Sequence, residues 1–408
     1  MTKSDPPFRR HPSERIEVRR SVHVPDSAII ARCLRTPELG PRILFFTGGS
    51  ALRSLSRKLK NYTHNSIHLV TPFDSGGSSA KLRKSFGMLS VGDLRNRLMA
   101  LADEGALGNP EIYALFSHRL EKEASSHMLR DELDAMVLGR HSLVAAVPEP
   151  MRRIVQVHLR RFAEHMPADF DLRAASIGNL ILAGGYLDND RDIESVIFLF
   201  SKLVTVRGIV RPTVESNLHL AAETASGTTI LGQHVLTGKE VPHLSEPINH
   251  LQLTDNLNEL QPTSTLIDDK TRALIGGADL ICYPMGSFFT SVVANLLPTG
   301  VGAAISTRRC PKIYIPNFQG DPELIGSSIA DEVDEIVEYV RRDAGQDVKV
   351  EAILNIVLLD PNSSLYGREV DIHELTKRGI TPIVRPIAAV GGRAHDAEAV
   401  TQILLSLA

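Results

Sequence analysis

The sequence predicts a doubly wound α/β fold with a mainly parallel sheet, and three observations carry that prediction. Ile43-Leu44-Phe45-Phe46 and Ile67-His68-Leu69-Val70 are short apolar runs joined by a helical stripe (Leu52, Leu55, Leu59), a strand–helix–strand unit. Both runs end in turns dense in glycine and serine, Thr47-Gly48-Gly49-Ser50 and Thr71-Pro72-Phe73-Asp74-Ser75-Gly76-Gly77-Ser78-Ser79. After a long helical stretch, strand and helix patterns alternate again from residue 265 to the end. Such a sheet is Rossmann-like, and the ends of its strands are where a phosphate-bearing ligand docks.

Within this frame, residues 1–40 read as an N-terminal extension and 41–408 as one α/β domain, with a helical lobe at 90–205 and a small antiparallel β insertion at 206–240. The extension mixes prolines with Arg9, Arg10, Arg15, Arg19 and Arg20; Ile16, Val18, Val22 and Val24 could make a short strand there. A solvated arm fits that composition, with an interface arm as its functional counterpart. Ile43–Phe46 has no polar alternation, which suits a strand buried on both faces. Ser50 stands where a helix N-cap would. From 90 to 205, Leu94, Leu98 and Leu101, then Ile112, Leu115, Phe116 and Leu120, recur at helical spacing. The short runs around Gly208–Pro212, Leu218–Glu223 and Thr228–Gly232 predict a hairpin region. Asp279–Tyr283, Lys312–Ile315, Ile353–Leu359 and Ile380–Val384 are further strands, and Ile329 to Val340 carries an apolar helical stripe.

Composition excludes several classes. The 408 residues are 43% hydrophobic and 23% charged with a net charge of −3, so no whole-chain electrostatic case exists for nucleic acid or a membrane surface. Cys33, Cys282 and Cys310 form no CxxC pair, and a reducing cytoplasm suits them. No stretch of about 18 apolar residues predicts a membrane span. His118, His127 and His141 lack metal-ligand spacing, and neither a GxSxG elbow nor an HExxH motif occurs.

The chemistry therefore falls on the turns. Thr47–Ala51 is neither GxGxxG nor a P-loop, and a tight strand-to-helix turn needs glycine with or without a ligand. Asp74–Ser79 offers a carboxylate, hydroxyls and flexible backbone, followed by Lys81, Arg83 and Lys84. An acid beside hydroxyls can hold hydrated Mg²⁺ and the bases can neutralise phosphate; a capped surface loop is the alternative. Asp93, Arg95, Asn96 and Arg97 share one helical turn after Gly92. Asn179 lies in an apolar run, so it either ties two helices together or faces a ligand. Gly286-Ser287 ends a later strand and repeats the geometry of the first turn, with Thr290 able to start the next helix.

Taken together, Thr47–Ser50, Asp74–Ser79, Gly92-Asp93-Leu94-Arg95-Asn96, Ser176-Ile177-Gly178-Asn179-Leu180, Val206-Arg207-Gly208 and Gly286-Ser287 resemble the CofD-like family, over residues 42–340. That family joins phospholactate transferases of coenzyme F420 biosynthesis with gluconeogenesis-factor proteins. The resemblance implies a nucleoside-diphosphate conjugate, GDP- or UDP-linked, lined by Gly48, Gly49, Ser50, Gly76, Gly77, Ser78, Asn179, Gly286 and Ser287. Asp74 would be the catalytic or Mg²⁺-binding carboxylate. Ser75 stands where the family usually has a second acid, Ala51 where it often has glycine, and Ala174-Ala175-Ser176 where it often has Gly-His-Ser.

The expected function is transfer of a phosphate-linked group, phospholactyl-like, to an acceptor hydroxyl. Asp74 would position Mg²⁺ or the hydroxyl, the turn amides, Lys81 and Arg95 would stabilise charge on the diphosphate, and Ser75, Ser79, Asp93 and Asn96 complete the expected binding site. The rival is a non-catalytic nucleotide-sugar-binding regulator with the same pocket. Neither reading involves nucleic acid or a membrane, and both are compatible with a homodimer.

Overall fold

The computed structural model describes residues 21–105, 108–238 and 244–408. The arginines from Arg9 to Arg20, with Ile16 and Val18, lie outside the described residues. Eleven strands are present among those described: β1 (Ile43–Thr47), β2 (Ile67–Val70), β3 (Ile209–Pro212), β4 (His219–Thr224), β5 (Thr229–Leu231), β6 (Ile248–Thr254), β7 (Pro262–Thr263), β8 (Leu280–Tyr283), β9 (Lys312–Tyr314), β10 (Ile356–Leu359) and β11 (Thr381–Val384).

Seven of them form one parallel sheet in the order β3-β2-β1-β8-β9-β10-β11. The chain steps outward from β1 to β3, then returns to the other flank of β1 with β8. The order reverses between β1 and β8, and the crevice beyond the carboxyl ends of those two strands is the switch point at which open α/β sheets bind ligands. Ile43 to Phe46 are wholly buried, because helices cover both faces of the sheet.

The stretch at 90–205 is helical, as its periodicity predicts. Gly92–Leu101, Pro110–Ser117, Ser126–Val137, Met151–His165, Ile177–Asp188 and Ile193–Leu203 enclose their own apolar core. Gly184 makes its tightest joint possible: a Cβ there would sit 1.9 Å from the His158 carbonyl, so Met151–His165 and Ile177–Asp188 meet backbone to backbone.

A second, antiparallel sheet runs β5-β4-β6-β7. Here the hairpin reading of Gly208–Pro212 is corrected. Ile209–Pro212 pairs parallel with β2 and forms the edge of the main sheet. An edge strand bonds on one side only, so it tolerates Pro212 and can be as short as a hairpin strand. Ser27–Arg35 is a helix capped by Asp26, whose N–H donates to Ser406 Oγ at 2.7 Å, so this part of the chain is tied to the closing helix Ala397–Leu407. Among the described residues no helix is long and apolar enough to cross a membrane.

Candidate active site

The cleft at the switch point measures about 300 Å³. It gathers three glycine corners, from β1 (Gly48, Gly49, Ser50), from β2 (Asp74, Gly76, Gly77, Ser78, Ser79) and from β8 (Gly286, Ser287). Asp93, Arg95, Asn96 and Asn179 reach it from the helical lobe. Two candidates do not line it. Lys81 Nζ binds Asp171 Oδ2 at 2.9 Å, and Ser75 Oγ is buried against His234 Nδ1 at 2.9 Å. Lys81 is one helical turn beyond the corner and finds an acid on its outer side. Ser75 points under the corner because Asp74 takes the cleft side.

Three helices begin at this cleft: Gly77–Phe86, Gly92–Leu101 and Ile177–Asp188. None has a side-chain cap from its N-cap residue, Gly76, Val91 or Ser176. Helices elsewhere carry acidic caps, such as Asp26, Asp192 and Asp396. Here Asp74 Oδ1 accepts the Gly76 N–H at 3.0 Å and the His118 carbonyl accepts the Ile177 N–H at 3.0 Å, and the three converging helix dipoles direct a positive field at the cleft. Ser50 is not an N-cap either. The helix after β1 starts later, at Arg53, which leaves Ser50 on the cleft wall.

Buried arginines shape two corners from behind. Arg97 donates to Ser56 Oγ (2.6 Å), Thr47 Oγ1 (2.8 Å), Gly48 O (3.2 Å) and Gly49 O (3.1 Å). Arg83 donates to Phe73 O (3.1 Å) and Asp74 O (3.0 Å) and crosses to Leu218 O. Arg95 Nε donates to Asn179 Oδ1 at 3.1 Å, and Asn179 Nδ2 donates to Ser78 Oγ at 3.0 Å. Asn179 thus ties helices together and lines the cleft at once. Burial lowers the pKa of Arg83, Arg95 and Arg97 to about 10, Arg119 adding to the effect at Arg95, and all three stay cationic at neutral pH.

Close packing explains the glycines. A Cβ on Gly48 would lie 2.3 Å from Ser291 Oγ and 2.8 Å from Ser291 Cβ, and one on Gly92 would lie 2.6 Å from Ser79 Oγ. We expect Gly48→Ala to destabilise the protein by about 1–3 kcal/mol through overpacking. Ser291→Gly in the same chain should restore part of the loss, as read by chemical denaturation.

The β8 corner is not a copy of the first. Its following residues, Phe288–Val292, form a single π turn, and their amides are already taken. Phe288 N–H donates to Asp321 Oδ2 (2.9 Å), while Phe289 and Thr290 N–H donate to Glu323 Oε2 (2.8 and 2.9 Å). The protein's own carboxylates fill this anion seat, so the corner meets an uncharged part of any ligand. Burial, then Asp321, pushes the Glu323 pKa up to about 8, and the three donors offset only part of that rise. Glu323→Ala strands those donors and should cost about 3 kcal/mol. Glu323→Gln keeps acceptors in place and should cost much less; urea unfolding of both variants checks this.

A further chamber of about 390 Å³ adjoins the cleft and shares Ala51, Thr237, Met285, Gly286 and Ser287 with it. Arg119, Gln233, His234, Thr237 and Ser291 also line the main cleft and have no local sequence signal. Arg119 arrives because Leu120 N–H bonds to Ala175 O at 3.0 Å, laying this segment beside the start of the Asn179 helix.

The donors around Asp74 are oxygens, from Asp74, Asp93, Ser78, Ser79 and Asn96, a set that suits Mg²⁺ rather than a softer ion. Asp93 brings a second carboxylate to the wall that Ser75 leaves without one.

Comparison with known proteins finds several relatives of this chain. The profile of the family described as 2-phospho-L-lactate transferase CofD matches residues 43–387. A putative gluconeogenesis factor from Nostoc sp. is 30% identical over 298 residues, 72% of this chain and 51% of the relative, so the chain spans about half of that relative's length. The gluconeogenesis factor of Bacillus subtilis is 28% identical over 301 residues, covering 74% of this chain and 75% of its own. The crystal structure of a UPF0052-family protein from Bacillus halodurans superposes with a TM-score of 0.66 at 26% identity, over 90% of this chain and 99% of that one.

Proposed function

The chain belongs to the CofD family, a transferase family, and from that membership we propose that it moves a phosphate-linked group from a nucleoside-diphosphate conjugate to an acceptor hydroxyl. The observation that carries the reading is the convergence of three helix N-termini and the glycine corners of β1 and β2 on a cleft that also holds Asp74.

In this mechanism the diphosphate lies over the β1 and β2 corners. The N-termini at Gly77, Gly92 and Ile177 and the guanidinium of Arg95 balance its charge. The acceptor oxygen bonds to the phosphorus distal to the nucleoside, the bridging P–O bond breaks, and a nucleoside monophosphate leaves. The hydroxyl proton passes to the Asp74 carboxylate. Asp74 Oδ1 accepts the Gly76 N–H at 3.0 Å, which fixes the carboxylate against the corner. Asp74 and Asp93 would hold Mg²⁺, which supplies charge neutralisation on the phosphate oxygens. The adjoining chamber has room for the nucleoside or the acceptor.

The test is titration with GDP- and UDP-linked conjugates, with and without Mg²⁺, followed by assay for mononucleotide in the presence of hydroxyl acceptors. Release that depends on the acceptor is the expected result. Tight binding with no release for any acceptor tried would overturn transfer and leave a regulator that only binds.

A further inference from the structure

Three side chains far apart in sequence meet on the helical lobe, outside the cleft. His118 follows the helix Pro110–Ser117, Glu132 lies in Ser126–Val137, and His141 caps the short helix Ser142–Ala146. His118 Nε2 lies 3.0 Å and His141 Nε2 3.7 Å from Glu132 Oε1, and all three donor atoms fall within 4.8 Å of one another. All three residues are half-buried, so an ion can enter from solvent.

We propose that His118, Glu132 and His141 form a binding site for a first-row divalent transition metal of the zinc class. Metal–ligand bonds of about 2.0–2.1 Å in a tetrahedral shell put neighbouring ligand atoms about 3.3 Å apart. The two distances to Glu132 bracket that spacing, so capture needs small rotations of side chains and no backbone change. Two imidazoles and one carboxylate favour zinc-like ions over Mg²⁺ or Ca²⁺, and leave a fourth position for water. The cost falls on His141. Its Nδ1 accepts the Leu143 N–H at 3.3 Å, and metal at Nε2 moves the proton to Nδ1 and ends that weak bond.

The site is coupled to the cleft through backbone. The His118 carbonyl accepts the Ile177 N–H at 3.0 Å, at the start of the helix that carries Asn179, and the next residue, Arg119, lines the cleft. A bound ion would brace that wall. This inference does not depend on the transfer chemistry proposed above.

The full-length protein, freed of metal, is titrated with Co²⁺ and followed by visible absorption, with Zn²⁺ as competitor. One Co²⁺ per chain with four- or five-coordinate bands, displaced by Zn²⁺ and not by millimolar Mg²⁺, is expected. Glu132→Gln, His118→Gln and His141→Asn should each weaken binding at least tenfold, while His127→Ala, on the exposed side of the same helix, leaves it unchanged. Asparagine retains an N-cap acceptor, so His141→Asn keeps the helix start. Absence of the bands in the wild type, bands that persist in all three variants, or displacement by Mg²⁺ would overturn the site.

Discussion

Asp74→Asn will lower turnover by about 10²- to 10⁴-fold, the range for loss of a positioned general base, with affinity for the conjugate measured without Mg²⁺ little changed. The separation of the two effects follows from geometry. Asparagine keeps an oxygen for the Gly76 N–H bond that Asp74 Oδ1 makes at 3.0 Å, so the corner retains its shape. What disappears is the negative charge and the ability to take the acceptor proton. The diphosphate is held by backbone amides and cationic side chains, which the substitution leaves in place. Single-turnover release of mononucleotide, paired with a binding titration, reads both quantities. Unchanged release would remove Asp74 from the reaction.

Arg97→Met will destabilise the protein by about 3–5 kcal/mol, because it leaves several acceptors at the β1 corner without a donor at about 1–3 kcal/mol each. Arg97 is 1% exposed and donates to four acceptors at the β1 corner. Methionine fills part of the volume but leaves the Gly48 and Gly49 carbonyls without their guanidinium donor. Arg97→Lys keeps the charge on a single nitrogen that cannot span all four acceptors, so an intermediate loss is expected. Urea unfolding of the two variants against the wild type measures both. A loss under about 1 kcal/mol for Arg97→Met would mean that the corner holds itself without the guanidinium.

The readability of the chain varied with the range of the interaction. Strands such as Ile43–Thr47 and Leu280–Tyr283 were legible because continuous apolar runs between glycine turns leave little choice in a doubly covered sheet. The helical lobe was legible from its stripes. Ile209–Pro212 was not, since an edge strand with a proline reads like a hairpin strand until its partner is known. At the site, the glycine corners were visible, while Lys81 misled: a base beside a candidate phosphate turn looks like a ligand until Asp171 claims it. The β8 corner misled for the opposite reason. Gly286-Ser287 resembles an anion turn, and only Asp321 and Glu323, more than 30 residues later, show that its amides are taken.

What the sequence by itself determined is the alternation of strands and helices, the glycine corners at their ends, and Asp74 within one of them. Each of these is a local property, set by periodicity and by the backbone freedom of a few adjacent residues. The tertiary structure alone decided which corners share a cleft, which helix starts converge on it, and that His118, Glu132 and His141 face one another. Those facts depend on the order of strands in the sheet and on the docking of the helical lobe, where contacts between distant residues outweigh any signal that neighbours in the chain can carry.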